Sequence, residues 1–130
     1  MLTTVRSDST QSRLQQIETL LKLLERTAFI GVWSQDLATD ELAWSDQLAS
    51  LHDAPRGYTP SRNDAFAHYA PEWRDAIRAL VQTCERDGTP FDEEMQIVTL
   101  KGRRAWVRTI GHAVRDESGA VVRVEGAVQD

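Results

Sequence analysis

The residues that could carry metal or nucleophilic chemistry stand apart from one another in this sequence. The three histidines, His52, His68 and His112, lack the short spacings at which zinc ligands recur. His52 ends a predicted helix, where an imidazolium would suit the helix dipole. The single cysteine, Cys84, falls on the apolar face of another predicted helix, as a small buried hydrophobe does. With no nucleophile–base set and no glycine-rich phosphate loop, the sequence predicts no catalytic residue and no metal site.

Two charged clusters could instead bind ions or charged ligands. Asp92, Glu93 and Glu94 could supply oxygen ligands to Ca²⁺. A run of guanidinium groups close by could clamp a carboxylate or a phosphate. That run consists of Arg103, Arg104 and Arg108. The strand pattern around both clusters favours a simpler interpretation, in which the acids form a solvated sheet edge and the arginines pair with neighbouring acids.

Alternating side chains predict three antiparallel strands in the last third of the chain. Phe91, Met95 and Ile97 share one face with Glu93, which is the period of two of a half-buried strand. Gly102 and residues 116–119 supply the two tight turns. The predicted strands span residues 91–100, 104–115 and 121–128.

The first two thirds of the chain predict helices and one hairpin. A polar tail at 1–10 precedes a helix over 12–27, which Ser12 and Gln15 could cap and whose apolar residues recur at heptad spacing. That helix could pack on the domain's own sheet, form a dimer, or do both. Pro71 and Gly88 bracket a helix over 71–87. The remaining predicted elements are strands at 29–36 and 41–44, a helix capped by Ser45, a loop at 54–63 and a helical turn at 64–69.

Composition narrows the classes of function. A chain of 130 residues is about one domain, and its net charge of −5 argues against nucleic acid or an anionic membrane as partner. No apolar run approaches the roughly 20 residues of a membrane span, and the first residues lack a signal-peptide core. We therefore expect a cytoplasmic protein. The four tryptophans are expected to fill the core, with one or two lining a cavity.

Four groups of residues together resemble a PAS domain of the kind common in bacterial sensor proteins. In chain order the groups are Gly31, Val32, Trp33, Asp36, Leu37, Leu42, Ala43, Trp44 and Ser45; Pro71, Glu72 and Arg74; Gly88, Pro90, Phe91, Glu94, Gly102, Arg104, Trp106 and Val107; and Asp116, Gly119, Gly126 and Asp130. Their order and spacing match the family, although Ala70 and Trp73 stand where the family often has His and Asp.

The resemblance implies an α+β fold with a five-stranded antiparallel sheet in the order 2-1-5-4-3. Helices cover one face of that sheet, and a small molecule can sit between the two layers. Residues 1–28 would form a tail and an amphipathic dimerisation helix, and residues 29–130 the sensor domain. The pocket residues expected on this basis are Phe66, Tyr69, Trp73, Ile77, Met95, Ile97, Val107 and Thr109.

The resemblance does not favour haem or flavin, and the cofactor stays unassigned. Cys84 lacks the Asn-Cys-Arg-Phe context of flavin-binding relatives. His68 is the one histidine near the region where haem-binding relatives place theirs, and we interpret it instead as a surface or loop residue.

The expected function is a non-catalytic sensory domain that binds a small molecule or a partner and relays the signal by rearranging a homodimer. The dimer helix would use Leu14, Ile17, Leu21 and Leu24. Asp130 would open the link to a C-terminal output domain, either a GGDEF diguanylate cyclase that makes cyclic di-GMP or a histidine kinase of a two-component system. Two alternatives stay open: a ligand-free dimerisation module, and a cone-fold isomerase or dehydratase with a different sheet order.

Overall fold

The computed structural model describes residues 2–130, with side chains from residue 9 onward. One long helix is followed by a hairpin, a helical middle and three long strands. The elements are α1 (Leu2–Ala28), β1 (Ile30–Asp36), β2 (Glu41–Trp44), α2 (Asp46–Leu51), α3 (Arg62–Ala67), a 3₁₀ turn (Pro71–Trp73), α4 (Arg74–Asp87), β3 (Phe91–Val98), β4 (Arg104–Arg115) and β5 (Val121–Gln129).

The five strands form one sheet in the order β2-β1-β5-β4-β3, and every pairing is antiparallel. The first and last strands are therefore neighbours in the middle of the sheet, with Ile30 opposite Gln129 and Asp36 opposite Arg123. This arrangement confirms the fold class and the sheet order expected from the sequence.

Local signals place most of the element ends where the sequence predicts them. The Ser45 hydroxyl accepts a hydrogen bond from the Leu48 amide at the start of α2, as an N-cap does. Gly88 ends α4 in the left-handed conformation, with φ of 75°, which a residue without Cβ adopts at no steric cost. Pro71 opens a short 3₁₀ turn, and the regular helix starts only at Arg74.

Three predicted boundaries are wrong. The first helix begins at Leu2, so Ser12 lies inside it and cannot cap it. The predicted loop ends earlier, because the Ser61 hydroxyl accepts from the Asp64 amide and starts α3 at Arg62. Strand β3 stops at Val98, because the Leu100 amide turns away from the sheet to bond the carbonyl of His52.

The core lies between one face of the sheet and helices α2, α3 and α4. The predicted alternation in β3 is confirmed, since Phe91, Met95 and Ile97 are buried while Asp92 and Glu94 on the opposite face are exposed. Glu93, on the same face as the buried residues, is exposed as well. The opposite face is open to solvent, and Trp106 on β4 is 57% exposed rather than buried as expected. The buried apolar cluster contains Leu48, Leu51, Phe66, Tyr69, Ile77, Val81, Cys84, Phe91, Met95, Ile97, Val107, Val124 and Val128.

Helix α1 does not bury its apolar stripe against its own domain. The large apolar side chains of its second half are each at least half exposed, which contradicts packing of this face on the sheet. They are Leu14, Ile17, Leu20, Leu21, Leu23 and Leu24. An exposed apolar stripe of this kind is typical of an interaction surface.

Gly31 supports the contact between β1 and α2. A Cβ on this residue would overlap the backbone of Leu48, so we expect Gly31→Ala to push α2 off the sheet and lower the free energy of unfolding by about 2 kcal/mol. Val32→Ala is the matched control, because Val32 lies on the open face of the same strand and is 42% exposed. Urea denaturation measures both. Equal midpoints for Gly31→Ala and the wild type would show that α2 does not lie this close to β1.

Candidate functional site

A cavity of about 70 Å³ lies between the β1–β2 hairpin and helices α2, α3 and α4. Its wall is largely apolar, with a few polar side chains at one end. The lining residues are Trp33, Gln35, Leu42, Trp44, Leu48, His52, Arg62, Ala65, Phe66, Tyr69, Ile77, Val81, Glu85, Thr109 and Val128.

The volume of the cavity limits what it holds without rearrangement. An engineered protein cavity of roughly 150 Å³ binds benzene, and one water in the liquid takes about 30 Å³. The 70 Å³ cavity is therefore large enough for water or for a molecule of about three non-hydrogen atoms. A ligand of drug size, which needs roughly 300 Å³ or more, would enter only if the lining side chains moved.

Half of the expected pocket residues line this cavity. Phe66, Tyr69, Ile77 and Thr109 do so, and their role in ligand binding stays a prediction. The other expected residues are Trp73, Met95, Ile97 and Val107. Met95, Ile97 and Val107 lie on the strand face that the helices cover, and Trp73 lies at the start of α4. Trp73 and Met95 border a surface groove, and Ile97 and Val107 pack in the core.

Sequence reasoning missed the contribution of the hairpin. Trp33 and Gln35 alternate on β1 with Gly31, and all three turn toward the helices, so the period of two could have found them. Glu85 was also missed, although it follows Val81 by four residues on the inward face of α4. The position of Arg62 on α3 had no comparable signal, because that segment was expected to be loop.

A chain of polar contacts crosses one end of the cavity and joins three elements. The Gln35 amide donates from Nε2 to Oδ1 of Asp40 at 2.9 Å. Arg62 lies with Nη1 4.0 Å from that same carboxylate oxygen and with Nη2 2.7 Å from the Glu85 carboxylate. These contacts tie the hairpin to α3 and α4 at the mouth of the cavity.

Tyr69 and Thr109 form a buried polar contact on the floor of the cavity. The two hydroxyl oxygens are 3.0 Å apart, and both side chains are almost fully buried. Burial raises the pKa of Tyr69 to about 12, although the bond to Thr109 opposes the shift. The phenol is therefore a neutral hydrogen-bonding group at any physiological pH.

Two histidines pack with two aromatic rings at one wall of the cavity. The ring of Trp44 lies 4.4 Å from that of His52 and 6.0 Å from that of His68. His52 donates from Nδ1 to the Leu48 carbonyl at 2.9 Å, and Nε2 of His68 is hydrogen-bonded to the Tyr58 hydroxyl at 2.9 Å. The ring centroids of the two histidines are 5.5 Å apart.

The expectation that His52 is a helix-end cation is wrong. The residue does follow the end of α2, but it is only 2% exposed. Burial lowers the pKa of His52 to about 4, and the neighbouring His68 adds to the shift. Burial also lowers the pKa of His68, which is half-buried rather than a surface residue. His52 is consequently a neutral ring at pH 7.

Cys84 and the charged clusters have the burial and the pairing that the sequence predicts. Cys84 is fully buried, and burial raises the pKa of its thiol. Asp92, Glu93 and Glu94 are exposed on the edge strand β3. Each arginine of the cluster meets an acid: Arg103 pairs with Asp53, Arg104 with Glu72 and Arg108 with Asp92.

Among the side chains of residues 9–130, no group of three or more from His, Cys, Asp or Glu is placed to hold a metal ion. None of the helices in residues 2–130 is both long enough and apolar enough to cross a bilayer.

The sheet order, the helical layer on one face and the cavity between the two layers define a class of small α+β domain. The sequence profile of the PAS fold matches residues 41–128, which is most of the chain. The protein belongs to the PAS-fold family, as its motifs indicate.

Relatives of known name support this assignment. The sensor protein FixL of Bradyrhizobium diazoefficiens is 24% identical over 101 residues, which cover 78% of this chain and 20% of FixL. The N-terminal domain of a diguanylate cyclase with PAS/PAC sensor from Marinobacter aquaeolei superposes with a TM-score of 0.70 at 22% identity, covering 78% of this chain and 94% of that one. A sensory box histidine kinase/response regulator from Burkholderia thailandensis gives 0.68 at 19% identity, covering 85% and 82%. The chain thus spans one fifth of the curated relative it matches.

The buried histidines predict an acid-sensitive fold. Below pH 6.5 the unfolded chain binds a proton at His52, whereas the folded domain, with a pKa of about 4, does not. The contribution of His52 to stability is therefore complete above pH 6.5, its pKa in the unfolded chain. It is lost as the pH falls toward about 4, its pKa in the folded domain. Between pH 7 and pH 5 we expect the free energy of unfolding to drop by about 2 kcal/mol from His52 alone, with a further loss from His68.

Urea denaturation across this pH range measures the effect. His52→Gln removes the His52 contribution and should leave only the loss that His68 causes. His112→Gln, at an exposed position on β4, should keep the full pH dependence. A steep profile that survives in His52→Gln would contradict the assignment.

Proposed function

We propose that this domain is a sensor whose cavity reports the presence of a small molecule to an output domain beyond Asp130. One observation carries the proposal: the strands that line the cavity are also the strands through which the chain enters and leaves the domain. Trp33 and Gln35 lie on β1 and Val128 on β5. A ligand that displaced these side chains would act directly on both ends of the domain.

The two ends are held together by backbone hydrogen bonds. The Asp130 amide donates to the Phe29 carbonyl at 3.2 Å, and Ile30 is paired with Gln129. Helix α1 ends at Ala28, immediately before this point. A small change in the β1–β5 pairing would therefore move α1 and the segment after Asp130 relative to each other, which is the kind of motion a relay needs.

Helix α1 supplies the proposed dimer contact. Leu14, Ile17, Leu21 and Leu24 recur at heptad spacing and are 50–61% exposed, as expected for a two-helix seam that lacks its partner. Residues 1–28 would then be the dimerisation segment and residues 29–130 the sensor. The ligand shifts the dimer between two states only by the difference in its affinity for them.

The output domain is assigned by analogy. The matched relatives include a diguanylate cyclase with a PAS/PAC sensor and a sensory box histidine kinase/response regulator, and FixL is named a sensor protein. We propose one of these two enzyme classes, acting in the cytoplasm, as the partner of this non-catalytic domain.

A ligand-free dimerisation module is the second candidate, and the 70 Å³ volume of the cavity favours it. In that case the cavity is a packing defect without influence on the dimer. The cone-fold enzyme is excluded, because it would have a sheet order different from the one observed.

The double substitution Leu21→Glu and Leu24→Glu tests the dimer helix. Four leucines leave a symmetric seam and four charges enter it, so the dimer dissociation constant should rise at least about a hundredfold. Sedimentation velocity measures this, and circular dichroism should show a folded monomer. Gln15→Glu with Gln16→Glu is the matched control, because it adds the same charge outside the seam. Retention of the dimer by the leucine variant would show that the seam is not the interface.

Filling the cavity tests the coupling between cavity and dimer. Ala65 lines the cavity, whereas Ala67 on the same helix is exposed. We expect Ala65→Leu, which mimics an occupied cavity, to change the dimer dissociation constant at least about fivefold. Ala67→Leu should leave it unchanged. A dimer unaffected by Ala65→Leu would favour the ligand-free module.

A further inference from the structure

Gln35 is a buried amide with one half of its hydrogen-bonding capacity unused. The side chain is only 3% exposed and lines the cavity. Its Nε2 donates to the Asp40 carboxylate, which accepts but cannot donate, so the amide orientation is set by chemistry. The Oε1 atom is buried and accepts no hydrogen bond from the described part of the chain. Such an orphan acceptor has lost its hydrogen bonds to water without replacement, a cost that a donating ligand would relieve.

Glu85 presents a second acceptor to the same cavity. The Arg62 Nη2 atom lies 2.7 Å from each oxygen of the carboxylate. Its hydrogen bond is directed at Oε2, and Oε1 is buried without a hydrogen bond from the described residues. The ion pair therefore supplies charge attraction to Oε1 while leaving that atom free to accept from a donor in the cavity.

The charge at this end of the cavity is negative overall. Arg62 contributes one positive charge, and Glu85 and Asp40 contribute two negative charges. An anionic ligand would meet the Glu85 carboxylate and a guanidinium that is already paired, while Asp40 adds its charge from the exposed mouth of the cavity. A cation offsets the excess negative charge, and the rings of Trp33 and Trp44, which also line the cavity, attract cations through their faces. The ring of Phe66 already has the guanidinium groups of Arg62 and Arg78 over it.

We propose that the cavity binds a small organic cation that carries N–H donors at one end and a short apolar body, as a primary alkylammonium does. Its donors would reach Oε1 of Gln35 and Oε1 of Glu85, and its apolar part would lie against Leu48 and the aromatic rings. This assignment rests on the proposed function, because it names the ligand class of the same cavity. Its size is bounded at about three non-hydrogen atoms in the present arrangement of side chains.

The test is a titration followed by ¹H–¹⁵N correlation spectra of the indole groups. Trp33 and Trp44 line the cavity, whereas Trp106 lies exposed on the far side of the sheet and serves as internal control. The probes are ethylammonium, ethanol and acetate, which share a two-carbon size and differ in charge, at matched ionic strength and pH 7. We expect ethylammonium alone to shift the Trp33 and Trp44 signals saturably, with Trp106 unmoved.

Two variants test whether the two acceptors bind ethylammonium, and a third is the control. Gln35→Leu removes the orphan oxygen at similar volume, so it should weaken ethylammonium binding about tenfold or more while leaving thermal stability equal or higher. Glu85→Gln should weaken binding by at least as much. Glu117→Gln, at an exposed turn residue, is the charge-matched control and should bind as the wild type does.

Each contrary outcome overturns the assignment in a distinguishable way. Binding of acetate or ethanol at least as tight as that of ethylammonium would reject the cation but keep a ligand cavity. No saturable shift with any probe would mean that water alone satisfies Gln35 and Glu85, and would weigh against the sensor function as well. Undiminished ethylammonium binding in Gln35→Leu and Glu85→Gln would place the site elsewhere.

Discussion

The pairing of the first strand with the last is the interaction on which the rest of this domain depends. It joins the hairpin to the three-stranded C-terminal meander and so makes one sheet of two separate segments. The helices between them can cover the sheet only when that junction is formed, because α2 packs on β1 while α4 packs on β4 and β5. The cavity is lined by side chains from both segments, among them Trp33 and Val128. The fold, the cavity and the positions of the chain ends therefore all depend on the backbone hydrogen bonds between β1 and β5.

The two halves of the cavity differ in polarity. One part is an apolar space of the kind any sheet–helix layer can leave, with a neutral Tyr69–Thr109 pair at its floor. The mouth is a polar chain in which Gln35 and Glu85 keep unused acceptors although they are nearly buried. Native proteins satisfy almost all buried polar groups, so these two atoms are the points at which the proposed ligand would bind. This contrast is the physical argument for a sensor over a passive module.

The sequence predicted what depends on local pattern. The strand face that buries Phe91, Met95 and Ile97, the cap at Ser45 and the end of α4 at Gly88 follow from periodicity and backbone preference alone. The family resemblance then supplied the sheet order. Burial of His52 and the meeting of Arg62 with Glu85 arise between elements distant in the chain, so no spacing encodes them. Met95 and Val107 face the predicted side, but only the packing of α4 decides that they miss the cavity.

The exposed apolar stripe of helix α1 links the helix content of the N-terminal segment to the concentration of the protein. It runs for 27 residues, about 40 Å at 1.5 Å per residue, and the apolar side chains along its second half touch little of their own domain. Helices in water gain most of their stability from packing an apolar face and little from their backbone bonds. In the proposed dimer, ordering of α1 and association of two chains form a single equilibrium. The helix content of the N-terminal segment would then rise with protein concentration, and the sensor would be rigidly connected to its partner only where expression is high enough to supply one.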